Sequence, residues 1–345
     1  MKKMLALLLA LVMVLSLAAC ASSQPAAAST ETAETTETTE PPAEESAEAP
    51  AESGKTYTVG VCQLVQHEAL DAATQGFVDA LKEELGDAVT VDVQNASGDS
   101  VNCGTIVNGF VSKGVDLIMA NATPALTAAV SATADIPILG TSITAYGVAL
   151  DIDDFNGTVG GNISGTSDLA DLQAQAQMIL DWFPETKTVG LLFCSAEPNS
   201  RYQIDEVRKA LEAQGVTCEE FAFTDSNDVS SVTQKAADFS DVVYIPTDNT
   251  AASNTEAIAN VLIPAGVPAV CGEEGLCRGC GVATLSISYY DLGVTTGKMA
   301  AKILKGEADI STMPVEYTDA TPKYNASVCE QLGITPLDGY EAIDG

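Results

Sequence analysis

Short apolar runs alternate along most of the chain with longer segments in which apolar residues recur every three or four positions. The first run, Tyr57–Leu64, predicts a strand, followed by a helix from Glu68 to Leu85 with Leu70, Ala73, Phe77, Leu81 and Leu85 on one stripe. Strands at Val89–Gln94, Val115–Asn121 and Ile136–Ser142 come next, separated by a helix near Asn102–Lys113 and another opening at Thr123-Pro124. After a glycine-rich passage from Phe155 to Gly165 the alternation restarts. A helix from Asp168, carrying Leu169, Leu172, Ala176, Ile179 and Phe183, leads into strands Thr188–Cys194, Thr217–Phe223, Val242–Pro246 and Val267–Cys271. Helices Arg201–Gln214, Val229–Phe239 and Thr250–Ala265 separate those strands. A last helix, Tyr290–Lys305, precedes short returning segments from Pro314–Tyr317 onward. The strands read as apolar throughout, as in parallel sheets covered on both faces. Two β/α series of similar size predict an α/β protein of two doubly wound, Rossmann-like lobes.

The first 54 residues follow neither pattern. Lys2 and Lys3 precede an apolar stretch, Met4–Leu17, that is too short for a comfortable membrane span, and small residues then lead to a cysteine. Residues 1–19 read as a signal peptide. Leu17-Ala18-Ala19-Cys20 resembles the bacterial lipobox, which implies a lipidated Cys20 anchoring the chain to the extracytoplasmic face of the cell membrane; an ordinary signal peptide is the alternative. From Ala21 to Ser53 the chain holds eight glutamates, no lysine, arginine or aromatic residue, so residues 20–54 are expected to form a disordered acidic linker.

Discounting the two lysines of the signal and the eight glutamates of the linker, the remainder carries 13 basic and 40 acidic residues, a net −27. Nucleic acid needs a basic face and is excluded as a partner, as is docking on anionic lipid.

Eight cysteines follow Cys20, at positions 62, 103, 194, 218, 271, 277, 280 and 329. Most lie in strand-like apolar runs and read as small buried hydrophobes with free thiols, a disulfide framework being the alternative. Cys277-Arg278-Gly279-Cys280 is expected in a glycine-rich turn between strands rather than opening a helix, which argues against a thioredoxin-like pair. No metal site or cofactor is expected, because His67 is the single histidine and no phosphate-binding glycine loop occurs. GxSxG and HExxH are also absent, leaving no catalytic residue to name and no enzyme to expect.

Candidate binding residues, most of them polar with Leu64, Val65 and Ala122 as apolar neighbours, collect instead where successive predicted strands end, the carboxyl edge at which α/β sheets bind ligands. These are Leu64, Val65, Gln66 and His67 after the first strand, Ala122 and Thr123 after the third, and Ser195, Glu197, Asn199 and Ser200 in the second series. Thr247, Asp248 and Asn249 follow, then Glu273 and Glu274. Helix N-termini at Thr123 and Ser200 suit a carboxylate, and Asp248, Glu273, Glu274 or Glu197 suits an ammonium, so a zwitterion fits; plain helix capping is the competing reading for each residue. His67 is expected as a cleft-wall or loop residue and Trp182 as packing.

Gln63-Leu64-Val65-Gln66-His67-Glu68-Ala69-Leu70-Asp71, Ala122-Thr123-Pro124-Ala125, Pro246-Thr247-Asp248-Asn249-Thr250, Gly272-Glu273-Glu274-Gly275 and Tyr289-Tyr290-Asp291-Leu292-Gly293 resemble, in this order, the substrate-binding lipoproteins of ABC importers of the tryptophan/aromatic amino acid type. The resemblance spans Tyr57 to Thr335 and implies the periplasmic-binding-protein type I fold, two lobes joined by crossing hinge strands. The implied division is 55–163 plus 287–317 for the N-terminal lobe and 164–286 plus 318–345 for the C-terminal lobe, with hinges near Asn162–Gly165, Ser286–Ser288 and Tyr317–Asp319. It implies a monomer that binds an aromatic amino acid, tryptophan for example, and delivers it to an ABC permease and its ATPase. A ligand-sensing subunit for a membrane receptor, or a binder of a nucleoside or sugar, is the alternative. The chain departs from the pattern at Leu276–Gly281 and Thr144–Tyr146.

Overall fold

The computed structural model describes residues 55–343; the expected signal peptide, Cys20 and the acidic linker lie outside the described residues. The first half runs β1 (Tyr57–Gln63), α1 (Glu68–Leu85), β2 (Val89–Asn95), α2 (Ser100–Lys113), β3 (Leu117–Asn121), α3 (Thr123–Ala132), β4 (Ile138–Ile143), α4 (Tyr146–Ala149) and β5 (Ile163–Ser167). The second half runs α5 (Leu172–Trp182), β6 (Thr188–Cys194), α6 (Pro198–Glu212), β7 (Thr217–Phe223), α7 (Val229–Phe239) and β8 (Val242–Ile245). It continues through α8 (Asn249–Ala252), α9 (Thr255–Ala265), β9 (Ala269–Cys271), α10 (Glu274–Cys280) and β10 (Ala283–Ser286). The chain closes with α11 (Tyr289–Lys305), β11 (Glu316–Tyr317), β12 (Thr321–Tyr324), α12 (Ala326–Leu332) and β13 (Glu341–Ala342).

Two sheets form, ordered β11-β5-β4-β3-β1-β2 and β13-β12-β10-β9-β8-β6-β7. Pairing is parallel throughout except between β10 and β12. Both sheets share one winding, outward from β1 and β6, so each has a topological switch point, between β1 and β3 and between β6 and β8. Central strands are buried along their length, as their apolar runs predict; β7, at an edge, alternates exposed and covered residues and β2 buries none fully. The chain passes between the sheets after Ser167, after Ser286 and after Tyr317. Asn162–Gly165 runs into β5, inside the first sheet, because Ile163, Ser164 and Gly165 pair with β4.

Three expected elements differ, each for a local polar reason. The helix expected from Asp168 begins at Leu172, because Asp171 caps it, accepting from the Gln173 and Ala174 N–H groups. The helix expected over 250–265 is broken into α8 and α9 where Asn254 Nδ2 donates to the Thr250 carbonyl and Ser253 Oγ to that of Asn249, drawing the backbone off the helical path. Cys277 and Cys280 lie in α10 rather than in a turn, since the Glu273 carboxylate caps that helix. All eight described cysteines are free thiols, and seven are buried.

α11 returns to the first sheet and lies directly on α1. A Cβ on Gly293 would stand 2.0 Å from the Ala73 carbonyl oxygen, and one on Gly76 would stand 2.1 Å from that of Tyr290. Leu117, Met119, Phe77 and Met299 close the core beneath this pair. Gly293→Ala must push the helices apart and is expected to cost about 1–3 kcal/mol, measurable by denaturant unfolding of the variant beside the parent chain.

Candidate ligand-binding cleft

The two switch points face each other, and the loops leaving them build a cleft. On the first lobe, Gln63 and Asn121 end β1 and β3 and fasten both to α1. Thr74 Oγ1 donates to Gln63 Oε1 (2.7 Å), while Asn121 Nδ2 donates to the Leu70 carbonyl (2.8 Å) and to Thr74 Oγ1 (3.0 Å). That network fixes the β1–α1 loop, so His67 precedes α1 and its Nε2 lies 3.3 Å from Asn249 Oδ1 on the opposite lobe. A second bridge joins Arg278 Nε to Glu68 Oε1 at 3.1 Å.

On the second lobe the polar loops brace one another. The buried Glu197 carboxylate accepts from Asn249 N and Nδ2, Thr250 N and Oγ1, and Asn199 Nδ2, at 2.7–3.3 Å. Asp248 is equally committed: its Oδ2 accepts from the Cys194 N–H (2.6 Å) and its Oδ1 from that of Ala251 (2.8 Å). Glu273 accepts from the N–H groups of Gly275 and Leu276 at the start of α10.

His67, Leu70, Ser142 and Thr144 of the first lobe wall the centre of the cleft together with Asn199, Thr247, Asp248, Asn249, Ala252 and Glu273 of the second. Asp168, just past β5, and Tyr289, opening α11, complete it from two of the segments that cross between the sheets. The walls meet closely, leaving about 10 Å³ of free space, roughly enough for one water centre. Anything of amino-acid size enters only as the lobes part. Outward from the centre, a gap of about 440 Å³ shares Thr144 and is lined by Tyr146, Phe155, Tyr202 and Tyr317. Another, of about 370 Å³, lies beside Leu64, Val65, Glu197 and Asn249.

Burial dominates the acid–base character of these walls. It pushes Asp168 up to about 6 against the opposing Tyr289 hydroxyl, and Glu273 up to about 7. Asp248 rises to about 8, through burial first and the nearby Glu197 second. Burial lowers His67, only partly offset by its contact with Asn249, so the imidazole is held neutral.

Three polar atoms of these walls have no partner within the protein: Ser142 Oγ, Asp168 Oδ1 and Asn199 Oδ1. A buried polar atom left so costs about 1–3 kcal/mol, which marks the places a bound molecule would satisfy. Ser142 also adopts the left-handed region, φ 56°, as does Ala122 at φ 87°, strain of the kind that collects at binding sites.

The expected residues thus divide. His67, Asn199, Thr247, Asp248, Asn249 and Glu273 line the centre, and Leu64 and Val65 line an outer gap. Gln66 is exposed at the rim beside Arg278. Ala122 and Thr123 are buried at the start of α3, Ser195 Oγ donates to the Phe223 carbonyl, and Ser200 is packed beneath Asn199. Glu274 turns away from the centre, bound to Arg278 (2.8 Å), Lys323 (2.6 Å) and Ser286 (3.0 Å). Asp168, Ser142 and Thr144 were not among the expected residues. Asp168 read as a helix start, and only the crossing of the chain between lobes brings it to the cleft.

Paired parallel-sheet lobes that face a polar, buried cavity across their carboxyl edges define a two-lobe solute-binding protein of the periplasmic-binding-protein type I fold. The chain belongs to the ABC transporter substrate-binding protein family, whose model matches residues 58–339. It is 32% identical over 276 residues to the tyrosine-binding protein of Clostridioides difficile (strain R20291), covering 78% of this chain and 79% of that one. Its structure resembles that of an ABC domain in complex with L-Trp from Streptococcus pneumoniae, with 32% identity, 84% of this chain and 100% of the other covered, and a TM-score of 0.79. A ligand-free, open structure of a substrate-binding protein with adhesive properties from Clostridium difficile, also 32% identical over 84% of this chain and 99% of its own, gives a TM-score of 0.64.

Proposed function

We propose that this protein binds an aromatic amino acid between its lobes, holds it without chemical change and passes it to a membrane permease driven by a cytoplasmic ATPase. The single observation that carries this reading is the set of unpartnered atoms Ser142 Oγ, Asp168 Oδ1 and Asn199 Oδ1, converging on one interlobe cavity. They ask for a small ligand bearing both hydrogen-bond donors and acceptors. The adjoining gap beside Tyr146, Phe155, Tyr202 and Tyr317 gives an aromatic side chain room and ring faces to pack against. Relatives named for tyrosine and crystallised with L-Trp support the same ligand class. In this reading the signal peptide is removed and Cys20 carries the lipid that anchors the chain to the extracytoplasmic face of the cell membrane. Of the expected residues, those lining the centre bind the ligand, while Glu197 and Glu274 shape the second lobe.

The test is a thermal-shift and calorimetry panel of tryptophan, tyrosine, phenylalanine, glucose and adenosine. At a hundred times its dissociation constant a true ligand should add about 2.7 kcal/mol of stability. Stabilisation by an aromatic amino acid alone is expected; stabilisation by the sugar or nucleoside alone would overturn the reading.

A further inference from the structure

The residues walling the central cavity include three carboxylic acids, Asp168, Asp248 and Glu273, and no lysine or arginine. The three acids are not equivalent. Asp248 and Glu273 spend their oxygens on backbone N–H groups of their own lobe. Asp168 is 5% exposed, its Oδ2 held by the Tyr289 hydroxyl at 2.9 Å and its Oδ1 without a partner. Across the cavity Asn199, also 5% exposed, leaves Oδ1 unpartnered while its Nδ2 is taken by Glu197 and the Thr247 carbonyl. Two buried acceptors, one belonging to a carboxylate, call for a cationic donor. A ligand carboxylate meets a poorer reception, since the side chains that can donate to it are chiefly the hydroxyls of Ser142 and Thr144. An ammonium at Asp168 pairs two opposite charges, whereas a ligand carboxylate at these hydroxyls pairs one charge with neutral donors, so the ammonium end of a zwitterion gains more here than the carboxylate end.

We infer that the cleft recognises its ligand through a primary ammonium group received by Asp168 Oδ1 and Asn199 Oδ1, and that it accepts aromatic monoamines lacking the carboxylate. This rests on reading the cavity as an amino-acid site. Asp168 is then the residue that sets specificity at the ligand's polar end, and Tyr289 positions it.

Calorimetry on the chain as it exists tests this with three ligand series: tryptophan and tyrosine; tryptamine and tyramine, which lack the carboxylate; and the corresponding 2-hydroxy acids, which replace the ammonium by a hydroxyl. The amines are expected within about tenfold of the parent amino acids, and the hydroxy acids at least a hundredfold weaker, about 2.7 kcal/mol. Asp168→Asn should weaken amino acids and amines alike and narrow the gap between amino acid and hydroxy acid. Hydroxy acids that match the amino acids while the amines fail would overturn the inference and leave the amino-acid reading standing. Failure of all three series would overturn the amino-acid reading, and this inference with it. The ligand series is run on the unaltered chain, so the test holds even where Asp168→Asn does not fold.

Discussion

Glu197→Ala is expected to destabilise the protein by about 3–5 kcal/mol and to abolish measurable ligand binding in whatever fraction stays folded. The carboxylate is buried and accepts from five donors on Asn199, Asn249 and Thr250. Alanine strips all five of their acceptor, and such broken charged networks are among the largest single-site losses known. Binding suffers separately from stability. Asn249 faces His67 and Asn199 walls the cavity, so both lose their anchor when Glu197 goes. Chemical denaturation with parallel calorimetry checks the two effects. A variant of parental stability would show that the α8 loop is held by something other than this carboxylate. Glu197→Gln keeps an acceptor and should recover part of the stability.

The second large effect is opposite pH trends in stability and binding. Folding raises Asp168, Glu273 and Asp248 to about 6, 7 and 8, from ordinary values of 3.8 for aspartate and 4.5 for glutamate. The folded state therefore holds protons that the unfolded chain has released. The stability gained is full below about pH 4 and is lost as pH rises through the folded values. The free protein should accordingly be more stable near pH 5 than near pH 8, with Asp168 alone accounting for about 1.4 kcal/mol of the swing. His67 works the other way, because its lowered value favours the folded state at higher pH, but it is one group against three. Surface carboxylates held low by partners, such as Glu220 beside Arg201 and Arg208, lose their contribution only in stronger acid. Ligand affinity should run in the opposite sense. An ammonium needs Asp168 ionised, so affinity should fall about tenfold per pH unit once the pH drops below about 6. The groups facing Asp168 are Tyr289, Tyr146, His67, Asp248 and Glu273, and the tyrosines stay neutral throughout this range. Melting temperature and calorimetric affinity measured from about pH 5 to 8 settle it; parallel trends would remove Asp168 from the role.

The sequence pattern made the scaffold readable because packing in a parallel sheet is reported locally. α1, β6, β7 and α7 have the bounds their apolar spacing predicts, each being a single run flanked by capping or turn residues. α9 shows where that logic ends: the residues over 250–265 have helical spacing, yet Ser253 and Asn254 bond to the backbone and interrupt it. The cleft was legible only as a region. That His67, Thr247 and Asn249 gather there follows from strand order, which the β/α alternation implies. That Asp248 and Glu273 are spent as helix caps, and that Glu274 faces Lys323 and Arg278, depends on which N–H or cation lies within 3 Å. Asp168 stood out least, an acid after Thr166 and Ser167 that reads as the start of a helix, because its neighbours in space, Tyr289 and Asn199, are distant in sequence.

Because α11 lies against α1 and completes the core that Leu117 and Met119 share with Met299, the first lobe cannot mature on its first β/α series alone. A nascent chain that has emerged only as far as β10 leaves the α1 face bare and still lacks β12, α12 and β13 of the second sheet. Both lobes therefore finish folding only as roughly the last sixth of the chain is translated. A truncation before Tyr289 accordingly removes a structural wall of both lobes rather than a tail.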